Sequence, residues 1–221
     1  MTQTQKLPAN LIWKFDQSVA NIFATHVRQH IPDYEIVLDK TLNICNERLS
    51  KESAILEIGC AIGETVTRLH HNGFTNIHAV DASQAMLEHC PKGFATYYCS
   101  SEFPKIDLSF DAVLCNWTLH FIKNKIDYLK NIYNAMNSNG FLILSEKTEN
   151  SGLALEQYHQ WKSSNGVSDE EIQSKAKSLE GVLFVDTVEW YLKNLESIGF
   201  KKIYIANSTW CFTTFIAVKN N

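Results

Sequence analysis

The sequence lacks several features that mark whole classes of protein. No stretch approaches the roughly 18 consecutive apolar residues that a membrane-spanning helix needs, and residues 1–10 are polar. The six cysteines form no C-x-x-C pair, and a net charge of -4 provides no broad positive field for nucleic acid. These absences predict a cytoplasmic protein with reduced, buried thiols, no membrane association and no direct nucleic-acid partner.

The length and composition fit one globular unit. The 221 residues are 45% hydrophobic and 20% charged, without a biased tract or an internal repeat. A chain of this size can bury one sizeable core and is short for two independent ones. We therefore expect a single domain over residues 1–221.

Short apolar runs alternate along the chain with segments of helical periodicity. The runs are of strand length and mostly rich in branched or aromatic residues, whereas the segments between them carry one apolar face. This alternation predicts an α/β, doubly wound, Rossmann-like fold. The predicted strands are 54–58, 77–80, 95–99, 110–115 and 141–144, and the predicted helices are 64–72, 83–90 and 123–137.

Two regions depart from this alternation. Residues 1–52 carry two helical stripes on either side of Pro32, and we expect them to form a helical cap over the active edge of the sheet. Residues 151–180 form a polar helical insertion, whose second part opens with a capping box of Ser168 and Glu171.

The chain ends with a helical stripe and two strand-like runs. The stripe stops at Gly199, and the runs, 201–206 and 209–218, are joined by Asn207 and Ser208. This pattern predicts a mostly parallel, seven-stranded sheet that ends in an antiparallel hairpin. By analogy between folds, such a hairpin favours a class I methyltransferase over a dinucleotide dehydrogenase.

A glycine-containing turn follows the first predicted strand and indicates a nucleotide-like cofactor. Gly59 allows a tight turn and the close approach of a ligand, and Gly63 allows the next helix to start near the strand. Asp81 ends the second strand, where its carboxylate can accept hydrogen bonds from both hydroxyls of a ribose. The spacing departs from G-x-G-x-x-G, and two alternatives stay open: an ordinary strand-to-helix turn, and a capping role for Asp81.

Further polar residues follow the fourth predicted strand, at the sheet edge where α/β proteins bind ligands. Asn116 is placed to bind the amino-acid part of a cofactor, and His120 is placed to face the substrate. For the neighbouring Trp117 and Leu119, packing in the core is the favoured interpretation.

Two histidines in the first helical stripe, His26 and His30, have the i, i+4 spacing of some metal ligands. No H-E-x-x-H motif accompanies them, so we interpret them as surface or helix-packing residues and expect no metal site. No serine, cysteine or aspartate lies in a nucleophile elbow, which would indicate covalent catalysis.

A set of short motifs runs through nearly the whole chain after Trp13. The motifs are Phe15-Asp16, Val19-Ala20, Ile31-Pro32-Asp33-Tyr34, Gly59-Cys60, Asn116, Thr118-Leu119, Leu144-Ser145-Glu146-Lys147, Asn165-Gly166 and Asp186-Thr187-Val188-Glu189. With them, the sequence resembles the carboxy-S-adenosyl-L-methionine synthases, a group within the class I methyltransferases that use S-adenosylmethionine (SAM). The resemblance implies SAM as the cofactor, a homodimer, and cofactor-binding roles for Tyr34, Gly59, Asp81 and Asn116.

One departure from that family concerns the anion that its product carries. The family binds the extra carboxylate with an arginine, where this chain has Ala176. The adjacent Lys175 and Lys177 are expected to point about 100° away from that position.

A second departure lies after the third predicted strand. The family has a Gly-Asp pair that contacts adenine, where this chain has Cys99-Ser100, and we expect Ser100, Ser101 or Glu102 to substitute. The predicted catalytic residues are His120 and Tyr34, and the predicted cofactor-binding residues are Tyr34, Glu57, Gly59, Cys60, Ala61, Gly63, Asp81, Ala82, Ser100, Ser101 and Asn116.

Three functions stay open. A SAM-dependent methyltransferase acting on an unidentified small molecule is favoured, because it needs only a cofactor cleft and a substrate pocket. A carboxy-SAM synthase that uses SAM and prephenate, in the pathway of tRNA wobble-uridine modification, is the alternative that the resemblance implies. The third is a SAM-binding regulator without turnover. Apolar residues of the insertion also predict that it contributes to a dimer: Leu155, Tyr158, Trp161, Ile172 and Leu179.

Overall fold

Seven strands form one mixed sheet in the computed structural model, which describes residues 12–220; the polar segment 1–10 lies outside the described residues. The strands are β1 (Ile55–Ile58), β2 (Ile77–Asp81), β3 (Thr96–Cys99), β4 (Phe110–Asn116), β5 (Met136–Lys147), β6 (Lys202–Thr209) and β7 (Phe212–Val218). Their order across the sheet is β3-β2-β1-β4-β5-β7-β6. Strands β1 to β5 pair in parallel, and β7 is antiparallel to both of its neighbours, so the predicted doubly wound sheet with a terminal hairpin is confirmed.

Helices precede, connect and follow the strands. They are α1 (Gln17–His30), α2 (Tyr34–Arg48), α3 (Glu64–His71), α4 (Gln84–Leu87), α5 (Lys125–Ala135), α6 (Gly152–Ser164), α7 (Asp169–Ser178) and α8 (Val188–Ile198), with a 3₁₀ turn at Leu119–Phe121. The predicted capping box is present, since Ser168 accepts from the Glu171 amide and Glu171 accepts from the Ser168 amide. Gly199 ends α8 as expected.

Alternate residues of the central strands enter two different cores. Leu56 and Ile58 of β1 pack on one face with Leu129 of α5, whereas Ile55 packs on the other face with Val66 of α3. A strand that is buried on both faces is the expected form in a parallel sheet covered by helices. The carboxyl ends of the strands are therefore left as the place where a ligand can enter.

The terminal hairpin turns later along the chain than we expected. Asn207 and Ser208 lie within β6, and the turn includes Trp210, which has a φ of 51°. The Asn207 side chain is held by α2 and the residue before it: its amide nitrogen donates to Asp33 at 3.0 Å, and its oxygen accepts from Lys40 at 2.7 Å. These hydrogen bonds join residues that are far apart along the chain, so the local sequence could not predict them.

Other differences are smaller. β5 extends well beyond the predicted 141–144 segment, and α4 is a single turn capped by Ser83. All six cysteines are free, but Cys99 is exposed because it ends the edge strand β3, contrary to the expectation of buried thiols. Within residues 12–220, every helix is too short or too polar to span a membrane.

Candidate functional site

A cavity of about 800 Å³ opens at the carboxyl ends of β1, β2 and β4. It lies where the strand order reverses, with β2 on one side of β1 and β4 on the other, which is the usual ligand site of doubly wound sheets. Helices α1 and α2 form one wall, and α6 and α7 of the insertion form another. Every predicted site residue lines this cavity except Gly63.

Asp81 both caps the neighbouring turns and lies at the cavity, so a capping role and a binding role are compatible. Its Oδ2 atom accepts from the Ala61 amide at 2.8 Å, and its Oδ1 atom accepts from the Ser83 amide at 2.8 Å. The carboxylate therefore caps both turns, and it also lines the cavity. Burial raises its pKa, but each oxygen keeps lone-pair capacity for a further donor.

Glycine is favoured at positions 59 and 63 of the first turn for different physical reasons. Gly59 has a φ of 72°, and an added Cβ would lie 1.9 Å from the Thr118 hydroxyl oxygen, so glycine is required by the chain itself. Gly63 has a φ of 79° and begins α3, where an added Cβ would meet Pro91 at 3.0 Å. Packing against Thr118 therefore already requires glycine at position 59, and the close approach of a ligand stays a prediction.

Two buried polar atoms beside this turn have no hydrogen-bond partner within residues 12–220. One is Oε2 of Glu57, and the other is the side-chain nitrogen of Asn116. The Asn116 oxygen accepts from Ser145 at 2.7 Å, which orients the amide so that its nitrogen is the free end. Burial raises the pKa of Glu57 to about 8. Orphaned buried groups are costly unless a ligand satisfies them.

Two aromatic rings form part of the wall. Tyr34 stacks on Trp117 with ring centroids 4.9 Å apart, and both rings line the cavity. Trp117 packs against the small buried cluster of Val27, Tyr34 and Leu38, so its predicted packing is confirmed, and it also borders the cavity. Leu119 is fully buried in the main core as expected. Trp117 has a φ of 57°, a strained value that often marks functional positions. Burial raises the pKa of Tyr34, so its hydroxyl stays a neutral donor.

His120 forms a buried pair with Glu146, a residue that we had not predicted to take part in the site. His120 Nδ1 lies 2.7 Å from Glu146 Oε2, and the fully buried carboxylate also accepts from the backbone amides of Leu119 and His120, at 2.8 and 2.7 Å. Because a carboxylate oxygen only accepts, Nδ1 carries the hydrogen, and Nε2 is the ring atom left for a ligand. Glu146 follows Ser145, which pairs with Asn116 in the sheet, and this register brings it to His120.

Three lysines from β5, α6 and α7 gather at the insertion end of the cavity: Lys147, Lys162 and Lys175. Lys147 and Lys162 are buried, with Nζ atoms 5.4 and 4.3 Å from the centre of the Tyr158 ring, and the Lys175 ammonium lies over Trp13. Lys175 and Ala176 both line this cavity, and the expected angle of about 100° between them stays a prediction.

The helical histidines are packing residues, which is one of the two roles expected for them, and His26 also stacks on Trp13. His26 and His30 stack on each other with ring centroids 3.9 Å apart, and both line the cavity rather than the outer surface. Burial lowers the pKa of His30 to about 4, so this ring is neutral at pH 7. Among residues 12–220, no group of three or more metal-ligating side chains comes together.

Most of the apolar residues named for the insertion face inward. Leu155, Tyr158 and Leu179 line the cavity, and Ile172 is 3% exposed. Trp161 is partly exposed and does not line the cavity. A contribution of the insertion to a dimer stays a prediction, for which Trp161 is the available side chain.

Known proteins resemble this chain in both sequence and structure. A family model described as a methyltransferase domain matches residues 56–142. Carboxy-S-adenosyl-L-methionine synthases from Alteromonas mediterranea and Actinobacillus pleuropneumoniae serotype 5b are 29% and 31% identical, over 94% and 93% of this chain and 93% and 92% of theirs. The chain belongs to the carboxy-S-adenosyl-L-methionine synthase family. It is thus an enzyme that uses SAM.

The fold agrees with this assignment. The magnesium protoporphyrin IX methyltransferase of Synechocystis, solved with bound S-adenosylhomocysteine (SAH), matches 87% of this chain and 86% of its own, with a TM-score of 0.64 and 14% identity. At that identity the likeness concerns the fold alone, which is the class I methyltransferase fold.

Proposed function

We propose that the protein transfers the methyl group of SAM to a small molecule bound at the insertion end of the cavity. The observation that carries this proposal is one continuous cavity whose two ends differ in charge. Glu57, Glu64 and Asp81 line the end at the glycine turn, whereas the three lysines line the other end. Carboxylates suit a cationic sulfonium cofactor, and the second end leaves room for a different molecule.

The buried atoms of Glu57 and Asn116 that have no hydrogen-bond partner support the binding of SAM at the glycine turn. SAM, when bound, supplies a positively charged sulfonium with a transferable methyl group. Asp81 retains acceptor capacity for ribose hydroxyls, and Asn116 offers a free donor to the amino-acid part. Glu57 is protonated at pH 7 because burial raises its pKa to about 8, and a bound cationic group would favour its ionised, accepting form. Ser100 and Ser101 line the adjoining wall, where we place the adenine, whereas Glu102 does not line the cavity. We propose that these residues hold the cofactor.

His120 is the residue that we propose to face the acceptor. Glu146 fixes its ring through Nδ1, which leaves Nε2 to accept a hydrogen bond or a proton from the acceptor atom. Tyr34 keeps its proton because burial raises its pKa, so we assign it to hydrogen bonding and to the wall formed with Trp117.

A carboxy-SAM synthase that uses SAM and prephenate is the second candidate, favoured by the family itself. Ala176 argues against it. The residue lines the cavity, no arginine is among the lining residues of the described chain, and a carboxylate beside a sulfonium needs a second charge partner. Lys175, which lines the same wall, is the residue that would replace the arginine.

Mass spectrometry of the ligand that copurifies with the wild-type protein distinguishes the two. We expect SAM or SAH, and no carboxylated cofactor after incubation with SAM and prephenate. Accumulation of the carboxylated product would establish the synthase and overturn the methyltransferase proposal. If labelled SAM is bound but no acceptor in a small-molecule panel becomes methylated, the third function, a regulator without turnover, gains support.

We also propose a homodimer, by likeness to the family. The hairpin edge supports it, since Tyr204 and Ile205 of β6 are about half exposed, at 53% and 50%, on an edge strand. Light scattering checks it: a monomer at micromolar concentration contradicts the proposal.

A further inference from the structure

The three lysines at the insertion end of the cavity differ from the other enclosed lysines of this protein. Lys125 is bonded to Asp186, Lys40 donates to the Ala206 carbonyl at 2.8 Å, and Lys219 donates to the Tyr133 and Met136 carbonyls at 2.8 Å. Each of these ammonium groups has at least two oxygen partners. Lys51, which is also partly buried, bonds one neutral oxygen, that of Asn46 at 2.7 Å. The fully buried Lys125 is thus neutralised by a carboxylate, as burial of a charge requires.

Lys162 and Lys175 have no such partners within residues 12–220. Lys162 is 4% exposed, and its contact is the face of Tyr158, while Lys175 contacts the face of Trp13. Lys147 bonds only a neutral oxygen, that of Asn150. Aromatic faces attract cations weakly and do not replace a counterion. Glu180 also lines the cavity, but it is exposed and makes no ion pair with these lysines.

The like charges also act on one another. Burial lowers the pKa of Lys162 to about 8, with repulsion from Lys147 as the next cause, and repulsion from Lys162 adds to the burial that lowers the pKa of Lys175. The geometry agrees, since all three lysines line one cavity and Lys147 and Lys162 lie against the same Tyr158 ring. Glu149 attracts Lys147, but Lys162 and Lys175 make no ion pair with a carboxylate of residues 12–220, so an anionic ligand is their natural complement.

We infer that Lys147, Lys162 and Lys175 form an oxyanion subsite, which takes a carboxylate or phosphate group of the small molecule that the enzyme acts on. This inference rests on the proposed function. His120, the residue that we propose to face the acceptor, lines the same cavity as the three lysines. A ligand with two anionic groups would pair with more of these lysines than a single carboxylate would.

Calorimetry on the SAH-saturated protein tests the subsite with three probes: succinate, inorganic phosphate, and uncharged succinamide. We expect saturable binding of an anion and none of succinamide, and the preferred anion identifies the oxyanion as carboxylate or phosphate. Lys162→Met and Lys175→Met should each weaken anion binding by about tenfold or more. Lys177→Met is the matched control, because Lys177 is on the same helix, is exposed and does not line the cavity.

The possible results separate the subsite from the cofactor site. SAH should bind all three variants within about twofold of the wild type, a difference of under 0.5 kcal/mol. Failure of the wild type to bind SAH overturns the proposed function, whereas SAH binding without anion binding overturns the subsite alone. Equal losses in Lys162→Met and Lys177→Met also overturn it.

Thermal unfolding without added anion gives a second readout. Replacing an unpartnered buried cation by methionine of similar volume should raise the Tm. A lysine with a structural role would instead lower the Tm when replaced, so a lower Tm in both Lys162→Met and Lys175→Met would contradict the inference.

Discussion

Gly59 can be tested by adding a single methyl group to the turn that follows β1. In Gly59→Ala the new Cβ would lie 1.9 Å from Thr118 Oγ1 and 2.8 Å from its methyl carbon, on a backbone with a φ of 72°. A left-handed conformation costs an alanine about 1–2 kcal/mol, and overpacking adds about 1–3 kcal/mol. We therefore expect a loss of roughly 3 kcal/mol, which lowers the Tm of a chain this size by about 6–12 °C.

Two further variants separate the causes of this loss. Gly93 has a φ of 82° with nothing within 4 Å of an added Cβ, so Gly93→Ala reports the backbone cost alone. Thr118→Ala removes the two nearest atoms and should relieve the overlap in Gly59→Ala, which appears as a coupling energy in a double-mutant cycle. Urea unfolding measures the stability of the three single variants and of the double variant Gly59→Ala with Thr118→Ala. If Gly59→Ala loses no more stability than Gly93→Ala, or if Thr118→Ala relieves nothing, the steric argument is wrong.

Four further predictions concern ligands and pH. Asp81→Ala should weaken SAM binding by about tenfold or more, through the loss of charged hydrogen bonds, and unchanged affinity by calorimetry would remove Asp81 from the site. Glu146→Gln should lower kcat with little change in SAM affinity, since the His120 ring loses its carboxylate partner; an unaltered pH–rate profile would count against the pair. The pKa of Lys162 is about 8 in the folded protein and lies at the ordinary lysine value in the unfolded chain. Between these two pH values the unfolded chain binds more protons, so the wild type should gain stability relative to Lys162→Met as the pH rises. A Tm difference that stays constant between pH 7 and 10 contradicts this. Ala176→Arg should selectively strengthen binding of the carboxylated cofactor, measured against SAH, and equal effects on both ligands would show that position 176 does not meet the carboxylate.

Residues at the ends of strands could be predicted from sequence, because local patterns determine where each strand stops. Asp81 and Asn116 were found in this way, and the structure places both at the cavity. His120 was found for the same reason, since it follows β4 closely. Parallel strands bring their carboxyl ends to one edge, so no knowledge of long-range packing was needed.

Residues whose role depends on register or on packing of distant helices could not be predicted. Glu146 reaches His120 through the pairing of β4 with β5, and the motif around it appeared only as part of a resemblance. Lys175 reaches the cavity because α7 lies against the segment before α1, where the Trp13 amide donates to the Ser178 carbonyl at 2.9 Å. Helical periodicity gives the angle between neighbouring side chains, but not the direction in which the helix itself faces.

The separation of the two ends of the cavity has a consequence for how this enzyme can change over evolutionary time. The cofactor end stands on turns that follow the central strands, where substitutions disturb two cores at once. The lysine end stands largely on α6 and α7, an insertion between β5 and α8 whose exposed helices tolerate substitution. Selectivity for the second molecule can therefore change with little effect on the cofactor end, and Ala176, one of the two departures from the family's motifs, is the kind of change that such an arrangement permits.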